Sequence, residues 1–294
     1  MVMSKYVILI PCFNDWECLN ILIPKINLAL TKTNEEVNIL IVNDGSTKKN
    51  NLSFKKMSSL KKIEVLNLKN NVKAQIATAT GLHFLRKEKF QGGIIVMDAD
   101  GQDDPEHLVD IIRESKKNPE KTITINRSKR EDEIQFKILY QAYLFLALLL
   151  TFRYLKFGAF SYLHSSSIDR ILSTDDVYMA YVGGIAKHFA NKKVIYLPRK
   201  KRITGESQNN YKSLIYYGLK TISVFRFQAL INSIILIFVG FLLTHFIMYR
   251  PFFLFSLASL ILINAIIFII PYKINKSLIE DPLSNVENLE NLNK

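Results

Sequence analysis

The residues best suited by type and spacing to do chemistry are two carboxylates one position apart, Asp98 and Asp100, at the end of the apolar run Gly93-Ile94-Ile95-Val96-Met97. Gly101 follows at once, then Gln102-Asp103-Asp104 and a Pro105-Glu106 pair suited to opening a helix. The pattern reads as strand, acidic tip, helix. Carboxylates so spaced at a fraying strand end can share one hard cation through oxygen ligands. A Mg²⁺ or Mn²⁺ ion held this way completes its shell with water and phosphate oxygens. An acidic turn or a helix cap has the same local sequence, so the pair alone leaves both readings open.

Such a tip needs a scaffold, and the flanking sequence predicts one. From Tyr6 to Asn126, short apolar runs near 6–10, 37–42, 63–68, 93–97 and 122–126 alternate with helix-like stretches near 16–30, 51–60, 73–87 and 105–116. That alternation predicts an α/β domain, a mostly parallel sheet with helices on both faces. Ligands of such sheets bind beyond the carboxyl ends of the strands. Pro11, Asn14 and Asp15 follow the first strand, Asp44 the second, and Asp98 and Asp100 the fourth. All three polar motifs therefore fall on one edge. Asp44 before Gly45 is also compatible with a simple Asx turn.

Taken together, VILIPCFNDWE (7–17), ILIVNDGST (39–47) and IIVMDADGQDDPEHL (94–108) resemble the successive signatures of the inverting family-two glycosyltransferases with a GT-A fold. The resemblance is to their membrane-bound branch, which includes dolichyl-phosphate mannose synthase and bacterial polyprenyl-phosphate glycosyltransferases, and it runs from about Tyr6 to Tyr217. It implies a UDP- or GDP-linked sugar donor, Mg²⁺ or Mn²⁺ on Asp98 and Asp100, and Asp44 reading the nucleotide base with Pro11 and Asn14 shaping its pocket. Asp15 stands where relatives commonly have Glu. Lys73 stands at a Gly position that opens a helix near the donor; it is either a phosphate contact or a solvated lysine. Arg127 and Arg130 fall where relatives carry an Arg close to the phosphates, in a stretch whose mixed charge also suits a solvated loop. Gly158 and Phe160 match an element lining the acceptor side. Asp176 matches an acidic residue near the reacting carbon and is preferred to Asp175, although both also suit a helix N-terminus after Ser173-Thr174. Arg199 to Ser207 resembles an Arg-x-x-Gly-x-Ser loop that folds over phosphates, with Arg202 and Ser207 at its matching ends.

The remaining sequence places this chemistry. A net charge of +13 over 294 residues suits nucleic acid, an anionic membrane surface or phosphate-bearing substrates. Basic and aromatic residues are not interleaved as in a nucleic-acid motif, whereas residues 228–249 and 251–272 are each long and apolar enough to span a bilayer. Lysines and arginines flank the pair on both sides, which predicts cytoplasmic ends and a hairpin turning at Arg250-Pro251. The apolar segment 136–157 is expected to lie in the membrane interface, because spanning would separate the parts of one active site. Cys12 and Cys18 are too few for a disulfide framework. The expected organisation is a cytoplasmic catalytic domain over 1–226, two transmembrane helices over 227–273, and a polar, poorly ordered tail over 274–294. Together with the resemblance it implies a membrane glycosyltransferase acting on a lipid phosphate, in a bacterial inner membrane. Two alternatives are an enzyme with a hydroxyl acceptor and a non-catalytic nucleotide-sugar-binding scaffold. A homo-oligomer is compatible with the sequence, which specifies no oligomeric state.

Overall fold

The computed structural model describes residues 5–54, 57–127, 134–205, 211–244 and 250–293. In chain order the first half runs β1 (Tyr6–Cys12), α1 (Trp16–Leu30), β2 (Val37–Asn43), β3 (Leu60–Leu68), α2 (Lys73–Lys87), β4 (Gly93–Val96), α3 (His107–Lys117) and β5 (Ile123–Arg127). Next come α4 (Ile134–Thr151), β6 (Phe157–His164), α5 (Ile168–Leu172), α6 (Asp176–Met179), α7 (Tyr181–His188) and β7 (Lys193–Leu197). The last stretch is α8 (Tyr211–Ser223), α9 (Arg226–Leu243), α10 (Arg250–Ile269), α11 (Lys276–Glu280) and β8 (Val286–Asn291).

Among the described residues, eight strands form one sheet in the order β7-β5-β6-β4-β1-β2-β3-β8. Strands β4, β1, β2 and β3 are parallel, while β6 and β8 run antiparallel to their neighbours. Both faces of the central strands are buried, which is why they read as unbroken apolar runs. Ile8, Ile10, Ile39 and Ile41 join a core with Leu19, Leu22, Ile23 and Ile26 of α1 and Leu108, Ile111 and Ile112 of α3. Leu9 and Val42 face the other way, against α2, so closely that a Cβ on Gly81 would lie 2.5 Å from a Leu9 methyl.

Two expectations are corrected. Residues 51–60 form no helix among the described residues: Asn50 Oδ1 caps the Leu52 amide at 2.9 Å, Leu52 and Leu60 belong to the core, and Phe54 and Met57 pack against it. Their spacing of two and three does not keep a helical stripe. The tail is not disordered either: β8 covers the edge of β3, pairing Glu64 with Asn291 and Leu66 with Leu289. Its polar sequence suits an edge strand, where backbone pairing rather than apolar burial supplies the contact.

The chain divides into two compact units. The first joins Met1–Glu131, Phe157–Gln208 and Lys276–Lys294, and it carries the whole sheet. The second holds α4, α8, α9 and α10. Helices Arg226–Leu243 and Arg250–Lys273 are long and apolar enough to cross a membrane, with mean hydropathies of 1.9 and 2.7. Apolar side chains such as Phe238 and Phe255 point outward, 61% and 71% exposed. Buried polar groups stitch this unit together: Asn232 Nδ2 donates to the Leu150 carbonyl and Asn264 Nδ2 to Ser233 Oγ, each at 2.8 Å. Helix α4 stops at Thr151, where Phe152 turns to φ 52°, short of the residue 157 expected from sequence.

Candidate active site

The carboxyl ends of β1, β2 and β4 bring the three polar motifs to one edge of the sheet. Leu9 accepts the Met97 amide at 3.0 Å, so residues 7, 9 and 11 turn their backbone towards β4. Pro11 has no N–H to continue that ladder, and the pairing ends there. The chain leaving β4 is thereby freed to turn.

That turn is built by its own carboxylates. Asp103 accepts the Asp98 amide at 3.1 Å, and Asp100 Oδ1 accepts the Gln102 amide at 3.0 Å. Gly101 sits at φ 73°, and a Cβ there would lie 2.1 Å from Ile203 Cδ1. No residue but Gly meets both conditions. Burial pushes the Asp100 carboxyl above the usual carboxylate range, Asp98 pushes it further, and Arg199 and Arg202 oppose the rise.

A basic strap, 199–205, lies along this tip. The Lys200 amide donates to the Gln102 carbonyl at 2.9 Å and the Ile203 amide to that of Asp100 at 3.1 Å. Arg199 Nη2 stands 3.4 Å from Asp98 Oδ2, and Lys200 Nζ 2.7 Å from Asp104 Oδ2. Arg202 pairs with Asp15 and lies 3.7 Å from Asp100, while its Nε donates to the Thr204 carbonyl at 2.8 Å. Among the described residues, Arg199 Nε is buried and has no hydrogen-bond partner.

This donor set fits a divalent cation. Two oxygen-only side chains crowd each other at the tip and are balanced by guanidinium groups, the charge a hard cation would supply. Among the described residues no group of three or more His, Cys, Asp or Glu could hold a metal, so Asp98 and Asp100 would leave much of the shell to phosphate and water.

Asp44 lies at the same edge, 2% exposed. Its Oδ1 accepts the Val72 amide at 2.6 Å, its own amide donates to the Cys12 carbonyl, and burial pushes its carboxyl up to about 6. Lys73 opens α2 at φ 72°, a backbone region that favours glycine, and its charge partly offsets that rise. Asn14, at φ 60°, spends its amide on the neighbouring turn: Oδ1 accepts the amides of Thr47 and Lys48, each at 2.9 Å. It thus holds the β1 and β2 loops together.

Asp176 stands apart from this group. Its carboxylate, 3% exposed as a residue, accepts from Thr174 Oγ1 at 2.6 Å, His188 Nε2 at 2.9 Å and Lys187 Nζ at 3.0 Å. It pins α6 to α7, with no described contact to Asp98 or Asp100. Asp175 is the exposed member of the pair. Arg127 closes β5, its backbone paired with Leu197 of β7. Arg130 and Ser207 lie outside the described residues. Sequence reasoning took the cationic cluster Arg199 to Arg202 as a unit and named Arg202 as its site residue; the structure sets Arg199, Lys200 and Arg202 each against carboxylates of the sheet edge.

A family model described as "Glycosyl transferase family 2" matches residues 7–175. An uncharacterized glycosyltransferase of Bacillus subtilis (strain 168), YkcC, is 28% identical over 135 residues, 45% of this chain and 40% of that protein. The alignment thus spans less than half the length of this relative. Among solved structures, the glucosyl-3-phosphoglycerate synthase of Mycobacterium tuberculosis, in complex with Mn²⁺, UDP-glucose and phosphoglyceric acid, is 9% identical. The match covers 77% of this chain and 80% of that one, with a TM-score of 0.48. The mannosyl-3-phosphoglycerate synthase of Rubrobacter xylanophilus is 12% identical, over 75% and 72% of the two chains, with a TM-score of 0.46. The family match covers more than half of the sequence and takes in all three motifs of the sheet edge; the chain belongs to glycosyl transferase family 2.

Proposed function

We propose that the chain is a membrane glycosyltransferase that moves a sugar from a UDP- or GDP-linked donor to a lipid phosphate such as polyprenyl phosphate. The observation that carries the choice of acceptor is the state of Asp176. A hydroxyl acceptor needs a general base, whereas a phosphate monoester, with a second pKa near 6, is already largely anionic at neutral pH. The Asp176 carboxylate already accepts from Thr174, Lys187 and His188, and a proton would have to displace one of these partners, so it is poorly suited to act as a base. The exposed carboxylate of Asp175 favours the second reading, a hydroxyl acceptor.

In the leading reading Asp44 accepts an N–H of the nucleotide base, and Pro11, Asn14 and Asp15 form the floor of that pocket. Asp98 and Asp100 would hold Mg²⁺ or Mn²⁺, which when bound offsets the charge of the departing diphosphate. Arg199 and Arg202 offer planar forks of donors matched to phosphate oxygens. Lys73, Arg127, Arg130 and Ser207 are assigned supporting contacts to the same phosphates.

Sheet topology supports a membrane arrangement. Strands β1 to β5, β6 to β7, and β8 share one sheet, and a bilayer cannot divide a sheet. The chain between any two of these groups must cross an even number of times. Helix α4, alone between β5 and β6, therefore lies on the membrane and does not span it, while α9 and α10 cross as a pair. The reading sets the sheet on the cytoplasmic side of a bacterial inner membrane, and the basic flanks of the helix pair support that orientation.

The test is to incubate the detergent-extracted protein with UDP- and GDP-sugars and either polyprenyl phosphate or polyprenol. Mass analysis should show glycosylated polyprenyl phosphate only. Product from polyprenol alone would establish the hydroxyl reading, and product from neither, despite nucleotide binding, the scaffold.

A further inference from the structure

Strand β8 reaches the sheet edge that carries Asp44 by a second route, through side chains. Asn285, 6% exposed, clamps the turn that follows β3: its carbonyl accepts the Lys69 amide at 2.8 Å. Its side chain forms a reciprocal pair with Asn70, Nδ2 to the Asn70 carbonyl and Oδ1 from Asn70 Nδ2, each at 3.2 Å. Lys69 Nζ donates to the Ser284 carbonyl at 2.8 Å. The clamped turn leads directly into Val72, whose amide is the donor to Asp44 Oδ1 at 2.6 Å. It also roofs Gly45, where a Cβ would lie 2.6 Å from the Asn71 nitrogen.

A parallel chain of amides runs alongside. Asn67 Nδ2 donates to Asn288 Oδ1 at 2.6 Å, and Asn43 Nδ2 donates to Asn67 Oδ1 at 2.8 Å. Asn43 Oδ1 accepts the Ser46 amide at 3.0 Å, and Ser46 Oγ accepts that of Asn14 at 2.9 Å. The opposite end of β8 is held differently. Asn293 Oδ1 accepts the Ile63 amide and its Nδ2 donates to the Lys61 carbonyl, each at 2.8 Å, at the end of β3 remote from the site.

We propose that Asn285 is a positioning residue for the donor site: it fixes the 69–72 turn and so sets the place of the Asp44 carboxylate, which makes β8 part of the nucleotide-binding apparatus. The proposal rests on the reading above, in which Asp44 contacts the donor base. A buried side chain that bonds both the backbone carbonyl and the side-chain amide of one neighbour restrains it more than strand pairing alone, and the cost of losing that restraint falls on binding.

The test compares Asn285→Ala with Asn293→Ala, which loosens the same strand at its other end. Amide hydrogen exchange at Val72 and Ser46 and steady-state kinetics against the nucleotide sugar are read together. In Asn285→Ala we expect Val72 exchange to rise at least tenfold and KM for the donor roughly tenfold, with kcat changed less than twofold. Asn293→Ala should speed exchange at Ile63 and leave Val72 and KM alone. The milder Asn70→Ala, which removes one bond of the reciprocal pair, should shift Val72 exchange and KM in the same direction and serves if Asn285→Ala fails to fold. Unchanged Val72 exchange in Asn285→Ala and Asn70→Ala, or equal effects from Asn285→Ala and Asn293→Ala, would overturn the proposal. If the wild-type protein transfers no sugar, the functional reading falls, and Val72 exchange still decides whether Asn285 holds the turn.

Discussion

The carboxylates at the sheet edge and the carboxylate between α6 and α7 are handled in opposite ways. Asp98 and Asp100 face cations on a strap about a hundred residues further along the chain, with the Asp98 side chain 34% exposed. Asp176 faces partners within twelve residues and its side chain is 5% exposed. The Asp98–Arg199 pair, with its carboxylate partly solvated, contributes little to stability, and Asp100 and Arg202, 3.7 Å apart and each with a second partner, can exchange partners at small cost. A buried one on neighbouring helices is costly to break, because it leaves a charge without a partner. Charge at the sheet edge is therefore available for a ligand, and charge between the helices is committed to the fold.

The largest expected effect comes from Asp100→Ala. Transfer should fall at least about a thousandfold, comparable to or beyond loss of a key charge-stabilising group. The thermal midpoint should move by only a few degrees, since Arg202 keeps Asp15. Wild-type turnover in this variant, or full activity in chelator, would erase the distinction between the two acidic sites.

Next in size is a ranking. Arg202→Lys removes the forked donor and should weaken transfer to polyprenyl phosphate about a hundredfold, while Asp176→Asn should weaken it less than about tenfold and mainly lower the melting temperature. A nearly inactive Asp176→Asn beside a normal Arg202→Lys would make Asp176 a general base.

Asp44 sharpens the comparison through pH. Its folded pKa of about 6 lies above the ordinary 3.8, so the folded chain keeps its proton while the unfolded chain loses it. Stability should thus fall as pH rises from about 4 to about 6, by roughly 3 kcal/mol in all at about 1.4 kcal/mol per pH unit. Urea titrations should show that Asp44→Asn, which retains an acceptor for the Val72 amide, abolishes this slope and is the more stable protein above pH 6. An unchanged slope would mean that Asp44 is not the group responsible. Smallest is Lys73→Gly: relief of φ 72° should add about 1 kcal/mol of stability by the same titration, and a raised donor KM alongside it would show that the side chain also touches phosphate.

What could be read from sequence follows from how local each signal is. The parallel strands were legible because burial on both faces leaves an apolar run with no polar alternation, and the helices 16–30 and 73–87 because one apolar stripe repeats. Strand β8 was not, because Val286-Glu287-Asn288-Leu289-Glu290-Asn291 has the composition of a solvated tail and is ordered by an edge more than two hundred residues earlier. Asp98 and Asp100 were legible as a pair. That the Asp176 carboxylate is filled by Lys187 and His188 could not be read, since that depends on how two short helices fold back on each other.

The order of the sheet also bears on how the protein is made. Strand β3 ends at Leu68, yet its partner is complete only when Asn291 has been synthesised. At about 5 to 20 residues per second, its open edge waits roughly 10 to 45 s on the ribosome, while two long apolar helices are made. During that interval β3 is a bare template for any passing strand. Newly made chains should therefore depend on chaperones or on prompt membrane targeting, and the charged positions Lys61, Lys62 and Glu64 along β3 are suited to discourage wrong partners until β8 arrives.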